Sequence, residues 1–314
     1  MCAAVQDPAG TGRESPRSPE ADLGVDARAL PGVPGVSHRA VQLKAGVRLH
    51  LAEAGVGPPL VLLHGWPQHW WCWRRLIPEL ARDHHVLAPD LRGFGWSDAP
   101  PGDYAKSTFA ADVLALLDAE GIERVQVVGH DWGGYTALLL ALEHPERVER
   151  VLALDVAPPW GGRPSPRQLA LPLAGSYQAL LATPVLGPAT LTRGPWLVRT
   201  LIRLGSGPQA RWTDHELDSY ADVLRDRARA RASSACYRTF LTRELPAIAL
   251  HGDRSAELQV PTLLGLGERS AVRLLLDPQP ARNLRIETIP AAGHFVPEEA
   301  PDEVLRLAEN WLGG

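Results

Sequence analysis

The chain has 314 residues, enough for one large domain with an insertion or for two domains. Hydrophobic residues make up 45% and charged residues 22%, as in soluble globular proteins. The net charge of −4 provides no basic field for nucleic acid or an anionic membrane, and no apolar run approaches the roughly 20 residues of a membrane span. Lysine occurs only at Lys44 and Lys106, which we attribute to codon bias rather than to function.

The cysteines and the N-terminal composition indicate the compartment. Cys2, Cys72 and Cys236 are few, odd in number and far apart, so we expect a reducing compartment and no disulfide framework. Residues 1–36 are rich in Pro, Gly, Ser and acidic side chains and lack the apolar segment of a secretory signal. They are predicted to form a disordered tail, and the protein is expected to be cytoplasmic.

From His38 onward, short apolar runs alternate with longer helical periods. The clearest helix is predicted at 108–121, with Ser107 or Thr108 as its N-cap and Gly121 as its stop. The alternation of strand and helix predicts a parallel sheet covered by helices on both faces. The predicted strands are residues 40–43, 47–55, 60–64, 85–90, 125–129, 148–156, 260–268 and 284–290.

The alternation is interrupted by a long segment without a good strand. Residues 158–258 contain only helical pieces separated by Pro and Gly. We therefore predict an α/β core formed by residues 37–157 and 259–314, with 158–258 inserted as a helical cap domain. Such a cap would lie over the carboxyl ends of the strands, where α/β proteins bind their ligands.

The segment VVGHDWGGYTA has the glycine spacing of a sharp strand-to-helix turn. Gly129 and Gly133 lie two residues on either side of Asp131. Such a turn lifts its central side chain above the sheet, where seryl hydrolases place their nucleophile. A carboxylate there can displace a leaving group from a saturated carbon and form an ester with the enzyme. The alternative is that Asp131 only caps the helix that follows it.

Two loops could complete a site around this turn. The sequence HGWP follows a strand directly, and the backbone N–H of Trp66 could pair with that of Trp132 as an oxyanion hole. The sequence AGHF places His294 in a loop after the last strand. A nucleophile followed by a late loop histidine is the chain order of α/β-hydrolases, so His294 is predicted to be catalytic.

The remaining histidines and a tryptophan cluster have simpler interpretations. His64, His84, His85 and His130 lack a convincing ligand spacing with acidic partners, so we expect no metal. For at least two members of the tryptophan cluster we expect packing in the core. The cluster consists of Trp70, Trp71 and Trp73.

The motifs HGWPQHWWCWR, DLRGFGWSD, GHDWGG and AGHF, spread over residues 60–295, resemble the α/β-hydrolase superfamily. They look most like its aspartate-nucleophile branch, which holds epoxide hydrolases, haloalkane dehalogenases and haloacetate dehalogenases. The resemblance implies an α/β fold in which a mostly parallel central sheet is flanked by helices and carries an inserted helical cap domain.

The leaving group separates the members of this branch. A halide leaves as a stable anion and needs only N–H donors, whereas an epoxide leaves as an alkoxide and needs a proton donor. SYQALLATP and ACYRTF resemble the two cap stretches in which epoxide hydrolases place a ring-opening tyrosine, here Tyr177 and Tyr237. Each could instead be packed under the cap. Haloacetate dehalogenases typically have arginine where Trp132 stands, and haloalkane dehalogenases typically have a small polar residue where Trp66 stands.

One position departs from the family pattern. The acid that orients the histidine normally follows the strand PTLLGLGE, where this chain has Ser270. A serine cannot stabilise an imidazolium as a carboxylate does. Asp155, at the end of VLALD, occupies the place that some haloalkane dehalogenases use for this acid, so we favour it. Glu268, two residues before Ser270, is the alternative acid.

The resemblance implies a cofactor-free epoxide hydrolase. Asp131 would attack an epoxide carbon while Tyr177 and Tyr237 stabilise the oxygen, and His294 would activate water to hydrolyse the ester. The substrate would be a small apolar epoxide, and the protein would be a monomer or a homodimer without nucleic-acid partners. The alternatives are a haloalkane dehalogenase with the same nucleophile and, because of Ser270, a non-catalytic ligand-binding protein.

Overall fold

The computed structural model describes residues 30–160, 176–251, 257–275 and 282–313. Most of the predicted tail, 1–29, therefore lies outside the described residues, as do 161–175 and 252–256 of the predicted cap. Residues 30–36 precede the first strand and form neither helix nor strand. None of the helices in the described ranges combines the length and the apolar character of a membrane span.

An eight-stranded sheet forms the centre of the molecule. Its strands are β1 (Ser37–Gln42), β2 (Arg48–Ala54), β3 (Pro59–Leu63), β4 (His85–Pro89), β5 (Val125–His130), β6 (Val148–Leu154), β7 (Thr262–Gly267) and β8 (Leu284–Ile289). Their spatial order is β1-β2-β4-β3-β5-β6-β7-β8. β2 pairs antiparallel with β1 and β4, and the other pairs are parallel. Each strand predicted from the apolar runs is present in this sheet.

The helices follow the predicted alternation. They are α1 (Ile77–Leu80), α2 (Lys106–Ala119), α3 (Trp132–Glu143), α4 (Ser176–Ala182), α5 (Leu186–Arg193), α6 (Pro195–Gly205), α7 (Asp214–Ala221), α8 (Arg227–Thr239), α9 (Leu245–His251), α10 (Val296–Glu299) and α11 (Pro301–Leu312). A π-helical turn, Phe240–Glu244, joins α8 to α9. In the described part of the chain between β6 and β7, the regular elements are all helical.

The burial of the strands explains why helices cover the sheet. All residues of β7 are buried, and in β3 only Pro59 is partly exposed. Strands without a polar face must be covered on both sides. α3 packs against β3, β5 and β6 and is buried along its length except at Glu143. The short 3₁₀ turn Trp70–Trp73 is also buried, so its three tryptophans lie in the core.

The start of α2 differs from the prediction. The helix begins at Lys106 with Ala105 as its N-cap, rather than after Ser107 or Thr108. The backbone N–H of Lys106 donates instead to the carboxylate of Glu244, 138 residues further along the chain, at 2.7 Å. A contact with the inserted helices therefore replaces the local cap.

The C-terminal helix is also interrupted. The sequence PEEAPDEVLRLAENWL, residues 297–312, has the pattern of one amphipathic helix, but Ala300 separates α10 from α11 with φ −139° and ψ 57°. The break precedes Pro301, whose ring disfavours the helical conformation of the residue before it.

A buried ionic network joins the inserted helices to the core. Arg74 pairs with Glu216 of α7 at 2.5 Å and with Glu298 of α10 at 2.6 Å. The hydroxyl of Tyr220, also in α7, donates a hydrogen bond to Glu298. Buried charges are tolerated when they are paired and hydrogen-bonded. The network therefore holds α7 beside the segment that follows His294.

Candidate active site

A sharp turn between β5 and α3 presents Asp131. Its backbone has φ 50° and ψ −119°, which is strained for a residue with a side chain. Gly129 and Gly133 permit the turn, since a Cβ on Gly129 would lie 2.4 Å from the Gly133 carbonyl oxygen. The Asp131 side chain makes no capping hydrogen bond to α3. The geometry therefore favours the interpretation as a nucleophile over the helix-cap alternative.

A backbone N–H group holds the Asp131 carboxylate. The N–H of Trp66 donates to its Oδ2 at 2.8 Å, and the N–H of Trp132, the first residue of α3, acts on the carboxylate as a second dipole. Gly65 permits this approach, since a Cβ there would lie 2.4 Å from the Cβ of Asp131. Burial raises the pKa of Asp131, and the charge of His294 and the two N–H groups oppose that rise. The structure thus brings both predicted oxyanion donors to the predicted nucleophile.

His294 lies between Asp131 and a second carboxylate. Its Nε2 is 3.8 Å from Oδ1 of Asp131, and its Nδ1 is 2.6 Å from Oδ2 of Asp155. The side chain of Asp155 is fully buried, whereas that of His294 is 23% exposed. A carboxylate on Nδ1 holds the ring with Nε2 toward the nucleophile, which is the arrangement of a catalytic triad.

The two carboxylates determine the protonation of His294. Burial lowers its pKa, but the hydrogen bond from His294 to Asp155 and the charges of Asp155 and Asp131 outweigh burial and raise the pKa to about 9. At neutral pH, His294 is therefore an imidazolium flanked by two carboxylates.

Ser270, where the family pattern has an acid, is a hydrogen-bond partner of Asp155. Its hydroxyl donates to Oδ2 of Asp155 at 2.6 Å, and the N–H of Gly267 donates to Oδ1 at 3.0 Å. Glu268 is exposed, and its carboxylate accepts a hydrogen bond from a backbone N–H of a neighbouring loop. Of the two acids considered, the structure brings Asp155 to His294 and leaves Glu268 at the surface.

Two tyrosines from the inserted helices meet the tryptophans of the site. Tyr177 of α4 stacks on Trp66 with ring centroids 6.0 Å apart. Tyr237 of α8 meets Trp66 edge-on at 5.4 Å and Trp132 at 5.8 Å. The two phenol rings meet edge to face with centroids 5.9 Å apart, and the charge of Asp131 acts on both phenols. Burial raises the pKa of both phenols, that of Tyr237 well above its usual value, so both are protonated at neutral pH.

Two other histidines, for which the sequence suggested only a metal-ligand role, bond the backbone of residues in or beside the site, and for His64 that residue is Gly65. His130 directs its Nε2 to the carbonyl oxygen of His294 at 2.8 Å. His64 accepts a hydrogen bond from the backbone N–H of Leu91 at 3.0 Å. The position of His130 directly before Asp131 is the sequence signal that could have revealed its role. Within the described ranges, no group of three or more side chains is arranged to hold a metal.

A carboxylate, a histidine, a buried acid and two backbone N–H groups lie together on a mostly parallel sheet. This arrangement defines a class of hydrolases to which known proteins belong. A family profile for the alpha/beta hydrolase fold matches residues 58–212. The chain is 34% identical to a soluble epoxide hydrolase of Corynebacterium sp. (strain C12) over 275 residues, which covers 84% of this chain and 93% of that protein. It is 31% identical to a fluoroacetate dehalogenase of Burkholderia sp. over 283 residues, covering 85% of this chain and 90% of the relative.

The solved structures agree with these sequence relatives. The structure of the epoxide hydrolase CorEH without ligand superimposes with a TM-score of 0.77 at 28% identity, covering 88% of this chain and 99% of that one. The chain therefore belongs to the α/β-hydrolase family and is a hydrolase. The predicted fold class and enzyme class are confirmed, and the non-catalytic alternative is set aside.

Proposed function

We propose that the chain is an epoxide hydrolase that opens an epoxide to a vicinal diol through a covalent aspartyl ester. The observation that supports this most is the pair of phenols, Tyr177 and Tyr237, which contact each other and both pack on Trp66, whose N–H donates to Asp131. An alkoxide is a strongly basic leaving group, and a protonated phenol can both bind the ring oxygen and donate to it. The similarity to named epoxide hydrolases supports the same proposal.

In the first step, Asp131 is alkylated. Trp66 holds Oδ2 at 2.8 Å, which leaves Oδ1 to attack an epoxide carbon. The carbon–oxygen bond of the ring breaks as the ester bond forms, and the ring oxygen takes a proton from Tyr177 or Tyr237. Oδ2 becomes the carbonyl oxygen of the ester and keeps its N–H donors, so alkylation requires no rearrangement of the turn.

In the second step, His294 acts as the base. Alkylation removes the negative charge of Asp131, one of the influences that raise the pKa of His294, so the imidazolium can then give its proton to the phenolate left by ring opening. His294 takes a proton from water, which attacks the ester carbon, and the N–H groups of Trp66 and Trp132 stabilise the oxyanion. The bond between carbon and Oδ1 breaks, the diol oxygen receives the proton from His294, and the second water proton passes from the Asp131 carboxyl group to His294, which restores the carboxylate and the imidazolium.

The walls of the site indicate an apolar substrate. Aromatic rings surround Asp131, and its neighbour Trp132 packs on Phe240 with centroids 4.8 Å apart. The fluoroacetate dehalogenase relative is named for a carboxylate substrate, and a carboxylate calls for a cation beside the nucleophile. Here Trp132 follows the nucleophile instead of arginine. We therefore propose a small apolar epoxide and water as the reactants.

Haloalkane dehalogenation with the same nucleophile is a second candidate. The observation that favours it is that the indole N–H groups of Trp66 and Trp132 are buried and have no hydrogen-bond partner within the described part of the chain. Two such donors could hold a departing halide. The Tyr177–Tyr237 pair has no part in that reaction, so the tyrosines distinguish the two candidates.

Removing the phenols tests the proposal. Tyr177→Phe and Tyr237→Phe are each expected to slow alkylation by an epoxide about 10²-fold, because one donor to the developing alkoxide is lost. The double variant should be nearly inactive toward styrene oxide, with diol formation as the readout. Tyr220→Phe is the matched control, since the hydroxyl of Tyr220 donates to Glu298. Parent-like diol formation by both single variants, with halide release from a haloalkane, would support the dehalogenase instead.

The acid can be tested by separating the two chemical steps. Asp155→Asn is expected to slow ester hydrolysis on the order of 10³-fold or more while alkylation changes little, because the imidazolium loses its partner during water attack. The ester should then accumulate in a pre-steady-state burst. Glu268→Gln is the control and should leave both rates near those of the parent. The opposite ranking of these two variants would assign the role to Glu268.

A further inference from the structure

Lys106 is a fully buried cation packed against the ring of Trp132, the residue that follows the nucleophile. Its side chain has no exposed surface, and its Nζ lies 4.2 Å from the centroid of the Trp132 ring and 5.1 Å from that of Phe240. A cation over an indole face is attracted by the ring, most strongly when water is excluded. Since Trp132 directly follows Asp131, this contact brings Lys106 close enough for its charge to act on the Asp131 carboxylate.

The partners of Lys106 come from the inserted helices. Its Nζ pairs with Glu244 at 2.6 Å, and its backbone N–H donates to the same carboxylate at 2.7 Å. Nζ also lies 3.4 Å from the carbonyl oxygen of Cys236, the residue before Tyr237. Glu244 closes the π-helical turn that follows the helix of Tyr237. Lys106 therefore connects the start of α2 with the segment that carries one of the phenols.

We propose that the Lys106–Glu244 pair is a positioning device that keeps Asp131 ionised for attack, with Lys106 favouring the carboxylate and Glu244 moderating that effect. This inference rests on the proposed function. It gives a role to Lys106, one of the two lysines of the chain, for which the sequence suggested no function. A cation shielded from water acts over a longer range than an exposed one. The charge of Lys106 accordingly opposes the rise in the pKa of Asp131 that burial causes.

Other groups also act on the charge of Asp131, so the test must isolate Lys106. His294 contacts the carboxylate from the loop after β8, and the two cap phenols are uncharged at neutral pH. Burial raises the pKa of the Cys236 thiol to about 11, so this thiol is neutral as well. Among the residues that the structure describes, the titratable groups that act on Asp131 or contact Lys106 include His294, Tyr177, Tyr237, Cys236 and Glu244.

The test is the pH dependence of ester formation in two variants with opposite changes of charge. The single-turnover alkylation rate with styrene oxide should rise with pH as Asp131 ionises. Lys106→Met should move this acid limb upward by about half to one pH unit, because the carboxylate loses a nearby cation. Glu244→Gln should move it downward, because Lys106 loses the anion that offsets its charge. A purely structural pair would respond to both substitutions in the same way.

Two control variants separate charge from packing. Lys106→Arg retains the cation and should keep the acid limb close to that of the parent. Asp112→Asn breaks another buried pair of α2, with Arg92, and should lower the melting temperature without moving the limb. If Lys106→Met does not fold, the shift of the acid limb to lower pH in Glu244→Gln is by itself the test of this inference. Unmoved limbs, or limbs that move in one direction in both variants, would overturn this inference, whereas a parent protein that forms no ester overturns the proposed function itself.

Discussion

Asp131→Ala is expected to lower epoxide turnover on the order of 10⁵-fold or more, because the covalent step then has no nucleophile. The effect should fall on kcat rather than on substrate affinity, since the aromatic walls and the phenols remain in place. The strained backbone of Asp131, with φ 50°, is held by the close packing of Gly129 and Gly133 around it. Circular dichroism and thermal melting should therefore show a folded variant.

A matched carboxylate controls for the loss of charge. Asp118 lies in α2, is 53% exposed and pairs with Arg147 at 2.8 Å. Asp118→Ala removes a carboxylate from the same α/β core, and an exposed pair contributes little to stability. It should turn over styrene oxide at the parent rate. If Asp131→Ala kept a rate near that of Asp118→Ala, another residue would be the nucleophile.

The turn at Asp131 could be predicted from sequence because its geometry depends on nearby residues. The spacing of Gly129 and Gly133 reflects a steric requirement, since a Cβ on Gly133 would lie 2.1 Å from the carbonyl oxygen of Leu63. His294 followed from its position in a loop after the last strand. Such features can be predicted because the residues that cause them lie close together in the sequence. The same is true of the apolar runs that form the strands.

The acid and the lysine depend on contacts between distant parts of the chain. Asp155 and His294 are 139 residues apart, and the bond from Ser270 that completes the acid site spans 115 residues. From sequence, Ser270 stands where the family pattern has its acid. In the structure, its hydroxyl donates to Asp155, the carboxylate that contacts His294. The role proposed for Lys106 could not be predicted from sequence for the same reason. Its partner Glu244, which accepts a hydrogen bond from the first residue of α2, lies 138 residues further along the chain, in the insertion.

The behaviour of His294 follows from the difference between the two steps. In the proposed mechanism, alkylation needs an ionised Asp131 and no base, whereas ester hydrolysis needs His294 to accept a proton. Asp155 keeps its hydrogen bonds from Ser270 and Gly267 when His294 is replaced, so the acid is not left without partners. His294→Gln should therefore fold, react once with an epoxide, and then stop.

Mass spectrometry of His294→Gln after incubation with styrene oxide tests the central claim most directly. The proposed mechanism predicts that the intact protein gains the mass of one substrate molecule and that proteolysis places it on the peptide containing Asp131. The double variant Asp131→Ala/His294→Gln should gain no mass. An unmodified His294→Gln protein, or a substrate adduct on a peptide without Asp131, would contradict the covalent aspartyl mechanism.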